Sequence, residues 1–178
     1  MVGNLLYNRA DFALYESFGG GKSCTYVSTI PLDDINIRKN SYEPHNPELA
    51  DGTLLVAVRL GEKEDFTIYT VLSTDGGKTW SEPAMTGICS SPPHFLPLRD
   101  GSLMLSYSRR LDPCGLRARI SIDGGLTWGE EYVPSEAPTN DHGYAATVEL
   151  SDGSLVTVYY EIYGDDTKTS ILYTKWEG

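Results

Sequence analysis

The stretch NDHGYAATVELSDGSLVTVYYE, Asn140 to Glu161, decides the fold. It reads as two alternating apolar segments, Tyr144 to Leu150 and Leu155 to Tyr160, pivoting on Asp152-Gly153. Alternation around an Asp-Gly pair is the strongest short-range β-hairpin signal, because the strands need one buried face and the turn needs residues that tolerate positive φ. The same pattern occurs at EPHNPELADGTLLVAVR (Glu43 to Arg59) and PPHFLPLRDGSLMLSYSR (Pro92 to Arg109). The chain is a repeat protein.

The turns set the period. Asp51, Asp100 and Asp152 are separated by 49 and 52 residues. A second marker, STDGGKTW (Ser73 to Trp80) and SIDGGLTW (Ser121 to Trp128), recurs 48 residues apart. Each unit then reads as four strands: an inner one before the Asp-Gly turn, a second after it, a third entering the Ser-x-Asp motif and a fourth from the Trp. That is the pattern of a propeller blade. Gly3-Asn4-Leu5-Leu6 resembles Gly52-Thr53-Leu54-Leu55, which predicts a first unit without its inner strand and with a degenerate turn motif, PLDDIN. The expected fold is all-β: a single partial β-propeller domain of four-stranded antiparallel blades over residues 1–178, with an incomplete blade at about 1–41, blades at 42–90 and 91–139, and an incomplete last blade at 140–178. Trp176 continues the 48-residue Trp spacing, but it falls 24 residues after Asp152 against 28 and 29 for the other two, so it is read as coincidence.

The Ser-x-Asp-Gly-Gly-x-Thr-Trp motif needs no ligand to explain it. Asp75 and Asp123 can bond the backbone of a tight turn, the glycines supply positive φ, and the Trp packs beneath.

A formal charge of -11 and a pI near 4.6 exclude the basic face that nucleic acid or an anionic membrane requires. An anionic ligand must then be met by a local cluster of arginines within an acidic shell. Cys24, Cys89 and Cys114 have no metal-like spacing and are expected to be reduced packing residues. No run approaches a membrane span, and the opening MVGNLLYNRADFALYES lacks a basic stretch followed by an apolar core. Neither a cofactor nor a metal is expected: His45, His94 and His142 lie on or beside different inner strands, which is a ring of polar groups and not a metal motif.

The repeated motifs are those of the Asp boxes, or BNR repeats, of the sialidase-like superfamily, and the chain resembles the C-terminal part of such a protein from about Gly3 to Trp176. The resemblance implies the last four blades of a six-bladed propeller with its centre of activity in the funnel; a secreted or periplasmic location is in keeping with the family, but the sequence assigns no compartment. It places a Tyr nucleophile at the start of the last inner strand. Gly143-Tyr144-Ala145, followed by Asp152-Gly153 and Tyr159-Tyr160-Glu161, has that layout with Ala145 in place of the usual Ser, so Tyr144 is the expected nucleophile. Glu43, standing before Glu48-Leu49-Ala50-Asp51-Gly52, matches the partner Glu. Independently of any family, Glu43 is eight residues before Asp51 and Tyr144 eight before Asp152, so the two side chains should sit at one depth and face the shared axis.

The implied substrate is a terminal acidic sugar. A neutral phenol avoids repulsion with an anionic sugar, and a carboxylate is needed to take its proton because a free Tyr titrates near ~10. Sialidases are the tyrosine exception among glycosidases. Arg59 and Arg117 match two members of the family's carboxylate clamp, with Arg109, Arg110 and Arg119 as alternates, and His45 and His94 are further candidates for sugar contact. The family's first clamp Arg and its Asp general acid have no counterpart. Arg9 and Asp11 mimic the wording, but Asp11 is only 32 residues before Glu43, less than one blade. The acid would then be water or Asp141, and the chain by itself is expected to be weakly active or inactive; the open blade edges lead one to expect either a piece of a longer protein or self-association of copies that buries them. A non-catalytic BNR-repeat sugar-binding or interaction domain is the alternative, as is an enzyme for another acidic or neutral sugar.

Overall fold

The computed structural model describes residues 3–8, 11–32, 41–61, 66–164 and 167–178. Each repeat becomes one antiparallel sheet. The second and third are four-stranded, β4 (Ser41–His45) to β7 (Ala84–Cys89) through β5 (Leu54–Leu60) and β6 (Thr67–Ser73), and β8 (His94–Pro97) to β11 (Tyr132–Glu136) through β9 (Leu103–Arg109) and β10 (Gly115–Ser121). Strands lie side by side in chain order, as hairpin connections dictate. The first sheet holds β1 (Gly3–Asn8), β2 (Asp11–Phe18) and β3 (Ser23–Ile30), and the last holds β12 (Gly143–Glu149), β13 (Leu155–Ile162) and β14 (Thr169–Trp176). Together they are consecutive blades of a partial β-propeller.

Face-to-face packing explains why β5 carries apolar residues on both faces along Leu54 to Val58. Leu55 and Ala57 on β5 pack with Phe95, Leu103, Leu105 and Tyr107 of the third sheet, while Val56 and Val58 turn the other way onto Phe12 and Ile30 of the first. Met104, Ala118 and Leu155 join the third sheet to the last. The far face of the last sheet carries Val158, Ile171 and Tyr173 in solvent.

The Asp boxes form as their chemistry requires. Ser73 donates to Asp75 (2.8 Å), the Gly77 amide donates back to Ser73 (2.9 Å), and the Lys78 and Thr79 amides donate to Asp75. Asp123 repeats the pattern with Ser121 and Thr127. Hydrogen bonds from Thr79 and from Thr127, respectively, hold both carboxyls below the ordinary range. Trp80 and Trp128 insert between sheets. Trp176 ends β14 and bonds Thr157 (3.0 Å), with no Asp box before it.

Two expectations change. A Cβ on Gly125 would meet Leu103 of its own sheet and Leu55 of the preceding one, and a Cβ on Gly77 would meet Leu54 and Leu14 in the same way. Leu14 is thus the counterpart of Leu55, β2 of β5, and β1 is the inner strand that Gly3-Asn4-Leu5-Leu6 seemed to exclude. The first Asp-Gly turn has become Asn8 to Asp11 and so escaped notice; Arg9 within it, and residues 33–36 of the degenerate motif, lie outside the described residues. Secondly, Cys24 and Cys89 are exposed rather than packed, because β3 and β7 are outer strands of their sheets.

Candidate functional site

Glu43 and Tyr144 lie where the first strands of the second and last sheets enter from the funnel side. Both interrupt their ladders: the β4–β5 register shifts between Tyr42 and His45, and the β12–β13 register between Gly143 and Ala146. Among the described residues these two are the non-glycine positions with positive φ, 55° at Glu43 and 54° at Tyr144. An L side chain in that region costs about 1 kcal/mol or more, and such irregularities re-aim a side chain out of the normal alternation. Here the re-aimed phenol meets the re-aimed carboxylate: the Tyr144 hydroxyl donates a short hydrogen bond to Glu43 Oε1.

This strain is measurable. Tyr144→Gly should be more stable than Tyr144→Ala by about 1 kcal/mol, and Glu43→Gly than Glu43→Ala, reversing the usual strand order because only glycine is at ease at this φ. Urea midpoints read the difference. The ordinary order, Ala above Gly, would mean that the backbone is not held there.

Arg59, on β5, supports the carboxylate. Its Nε lies 3.3 Å from Glu43 Oε2, an ion pair without hydrogen-bond alignment, and its Nη1 donates to Ser91 (3.1 Å). The guanidinium also lies over the rings of Tyr42 (4.9 Å) and Phe66 (4.4 Å). On the other side the Tyr144 ring stacks at 6.0 Å on Tyr160, whose hydroxyl donates to Asp141 (3.2 Å) and receives a long contact from Arg110 (3.4 Å). The hydrogen bond to Glu43, then partial burial and the charge of that carboxylate, raise the Tyr144 phenol above its ordinary value; Arg110 and Arg59 oppose this. The resting phenol is neutral and 56% exposed, open to a ligand.

The remaining candidates divide. Arg117 is 2% exposed, and its donors go to the carbonyls of Leu116, Ser135 and Pro113 at 2.9 to 3.1 Å, so it has nothing to offer a sugar at Tyr144. Strand alternation is the reason: on β10 it points between the second and third sheets, toward Glu131. Arg109 points to Glu131 as well (3.7 Å). The rings of His45 and His94 meet at 4.6 Å, tilted by 44°, between the same sheets, with His45 Nδ1 accepting from the Phe95 amide (3.2 Å). Burial first, then the neighbouring imidazole, lowers His45 to about 4. This geometry makes the pair an inter-sheet contact. His142 is buried against the Thr139 carbonyl (3.0 Å).

Arg110, one of the alternates to Arg117, is the arginine that contacts Tyr160. It borders a cavity of about 330 Å³ with Phe66, Cys89, Ser90, Ser108, Leu111 and Asn140. Tyr160 was missed, although arithmetic could have found it: it stands eight residues after Asp152, as Arg59 stands eight after Asp51.

Residues 35–168 match the family model described as a BNR repeat-like domain. No curated protein matches the chain. Among solved structures the chain is similar to a protein of unknown function from Dyadobacter fermentans, at 26% identity and a TM-score of 0.81, covering 94% of this chain and 45% of that one. It is also similar in fold to an α-L-arabinanase of Penicillium chrysogenum complexed with arabinobiose (22% identity, TM-score 0.73, 93% and 54% covered). A third is an α-L-arabinofuranosidase of Fusarium graminearum, again with arabinobiose (18%, 0.73, 94% and 55%). The chain spans about half the length of these structures.

Proposed function

Because the chain belongs to the BNR repeat-like domain family, we propose that its funnel is the site of an exo-acting, retaining glycoside hydrolase, with Tyr144 the nucleophile and Glu43 its base. The observation that carries this reading is the Tyr144–Glu43 hydrogen bond on an exposed phenol. In the first step the phenolic oxygen bonds the anomeric carbon, the glycosidic C–O bond breaks, and the phenolic proton passes to Glu43. The leaving alkoxide takes a proton from water at the open mouth. In the second step Glu43, now a carboxylic acid, reprotonates the phenolic oxygen as it leaves; water attacks the anomeric carbon, and its surplus proton goes to solvent. Arg59 holds Glu43 in place beforehand, and the raised phenol keeps the nucleophile uncharged until a sugar arrives.

The substrate is a terminal acidic sugar in this reading, met by Arg110 and the outer edge of Arg59. A neutral pentofuranoside is the second reading. Two points favour it: the donors of Arg117 are committed to backbone, and the two fungal neighbours hold arabinobiose. A fluorogenic α-sialoside and an aryl α-L-arabinofuranoside, whose leaving groups need no acid, decide between them. Turnover of the first is the expected result; turnover of the second alone supports the pentofuranoside. Binding of sugars without turnover of either would leave a sugar-binding module and overturn the hydrolase.

A further inference from the structure

The arginines that do not reach Tyr144 gather elsewhere. Glu131, just before β11, is approached by three guanidinium groups: Arg117 at 3.5 Å, Arg119 at 3.6 Å and Arg109 at 3.7 Å. Its remaining capacity is used by the hydroxyl of Tyr107, which donates to it at 2.6 Å and accepts from Arg119 at 3.1 Å. Tyr107 is buried and keeps its proton, so the cluster carries three positive charges against one negative. Such an excess is not needed to hold one glutamate. It stands within a chain of net charge -11, where unpaired cations would otherwise be quenched by the surrounding acids.

The cluster does not close on itself. Arg109, Arg119 and Glu131 line a cleft of about 460 Å³ between the second and third sheets, together with Trp128 and Cys89. That volume lies within the ~300–1,000 Å³ of small-molecule sites. Trp128 presents a ring to the cleft, and its Nε1, shielded from solvent, has no hydrogen-bond partner among the described residues. The corresponding nitrogen of Trp80 donates to Ser28 (2.9 Å). A buried indole N–H without an acceptor costs free energy; because this nitrogen is closed to solvent, a ligand in the cleft meets the Trp128 ring and not the N–H. The cleft also shares Cys89 and Leu111 with the cavity beside Arg110, whose guanidinium contacts the Tyr160 hydroxyl next to Tyr144.

We propose that this cleft is a second saccharide subsite, which binds an anionic substituent, carboxylate or sulfate, on the sugar unit next to the one at Tyr144. Arg109, which makes no hydrogen bond among the described residues, supplies the fork of donors to the anion; Arg119, whose Nε and Nη1 are held by the Tyr107 hydroxyl and the Gly129 carbonyl (2.8 Å), adds Nη2, and the Trp128 ring supplies the apolar face. The sugar assignment rests on reading the funnel as a carbohydrate site; the anion assignment does not. The substrate is then a charged glycan whose charge is read one unit away from the bond that is cut.

The test uses the ¹⁵N-labelled chain and the indole N–H resonance of Trp128, identified by its loss in Trp128→Phe. Sodium D-glucuronate, D-glucose 6-sulfate and D-glucose are titrated in turn. A saturable shift with glucuronate, with the sulfate, or with both is expected, the response telling which anion is preferred, and no shift with glucose at equal concentration. Arg109→Gln, at a half-exposed position, should weaken binding at least ~10-fold, as loss of a charged hydrogen bond does; Arg109→Gln/Arg119→Gln should abolish it. Tyr144→Phe should leave the shift unchanged, so failure of the hydrolase reading and failure of this one are separable. Absence of a saturable shift, an equal shift with glucose, or indifference to Arg109→Gln would overturn the proposal.

Discussion

Tyr144→Phe is expected to lower kcat/KM on the cleaved aryl glycoside by about 10³-fold or more, the size of effect seen when an enzyme loses the atom that attacks. The substitution deletes one oxygen, keeps the ring stacked on Tyr160, and leaves the backbone at positive φ. The melting temperature should therefore scarcely move, since the phenol is 56% exposed and its one strong bond is to a carboxylate that retains Arg59. Glu43→Gln should cost about 10²–10⁴, the range for a lost general base, because the amide can still accept the phenolic hydrogen bond but cannot take the proton. An effect under tenfold in both variants would leave Tyr144 a binding platform.

The largest effect on stability is expected at Gly115. Its φ is +142°, and a Cβ there would lie 2.3 Å from the Ser135 carbonyl oxygen, 2.7 Å from Arg117 Nη1 and 2.9 Å from Glu136 Cα. Two of these are backbone atoms of the adjoining strand β11 and cannot step aside as a flexible side chain would. Gly115→Ala should thus combine backbone strain with overpacking and cost about 3 kcal/mol or more. For a chain of this size that is a fall of roughly 6–12 °C in Tm. Gly153→Ala is the control: its φ is +85°, but no atom lies within 4 Å of the added methyl, so it should lose only the strain part. Equal losses at the two positions would show that the β10–β11 contact is not as tight as described.

Much of this architecture is legible from local chemistry. Asp-Gly hairpins, Asp boxes and inserted Trp side chains each have a short-range cause, so their spacing carries the blade period into the sequence. The Glu43–Tyr144 pairing is legible for a subtler reason, that equal offsets from the turns Asp51-Gly52 and Asp152-Gly153 place two residues at equal depth. What the offsets do not contain is the direction of the side chain. Positive φ at both positions departs from strand alternation, and no pattern in EPHN or HGYA announces it.

The same limit explains the arginines. Arg117 and Arg110 stand seven residues apart, yet one is buried against carbonyls between sheets and the other borders the funnel cavity. That depends on which face of β10 meets its neighbour and on where the β9–β10 connection turns, both of which are tertiary facts. The first blade shows the reverse case. Its hairpin is present, but the turn between Asn8 and Asp11 has lost the Asp-Gly wording, and a repeat read by that wording slips by a strand.

The most direct measurement is the site of covalent attachment. A fluorinated glycosyl fluoride of the sugar that is turned over, 2,3-difluorosialyl fluoride for a sialoside, forms the glycosyl intermediate and slows its hydrolysis, so that the labelled residue can be located by peptide mass spectrometry. The prediction is a single sugar adduct on Tyr144, absent from Tyr144→Phe and slow to form in Glu43→Gln. An adduct on Glu43 would contradict the assignment of nucleophile and base, and turnover with no adduct on either residue would contradict the site.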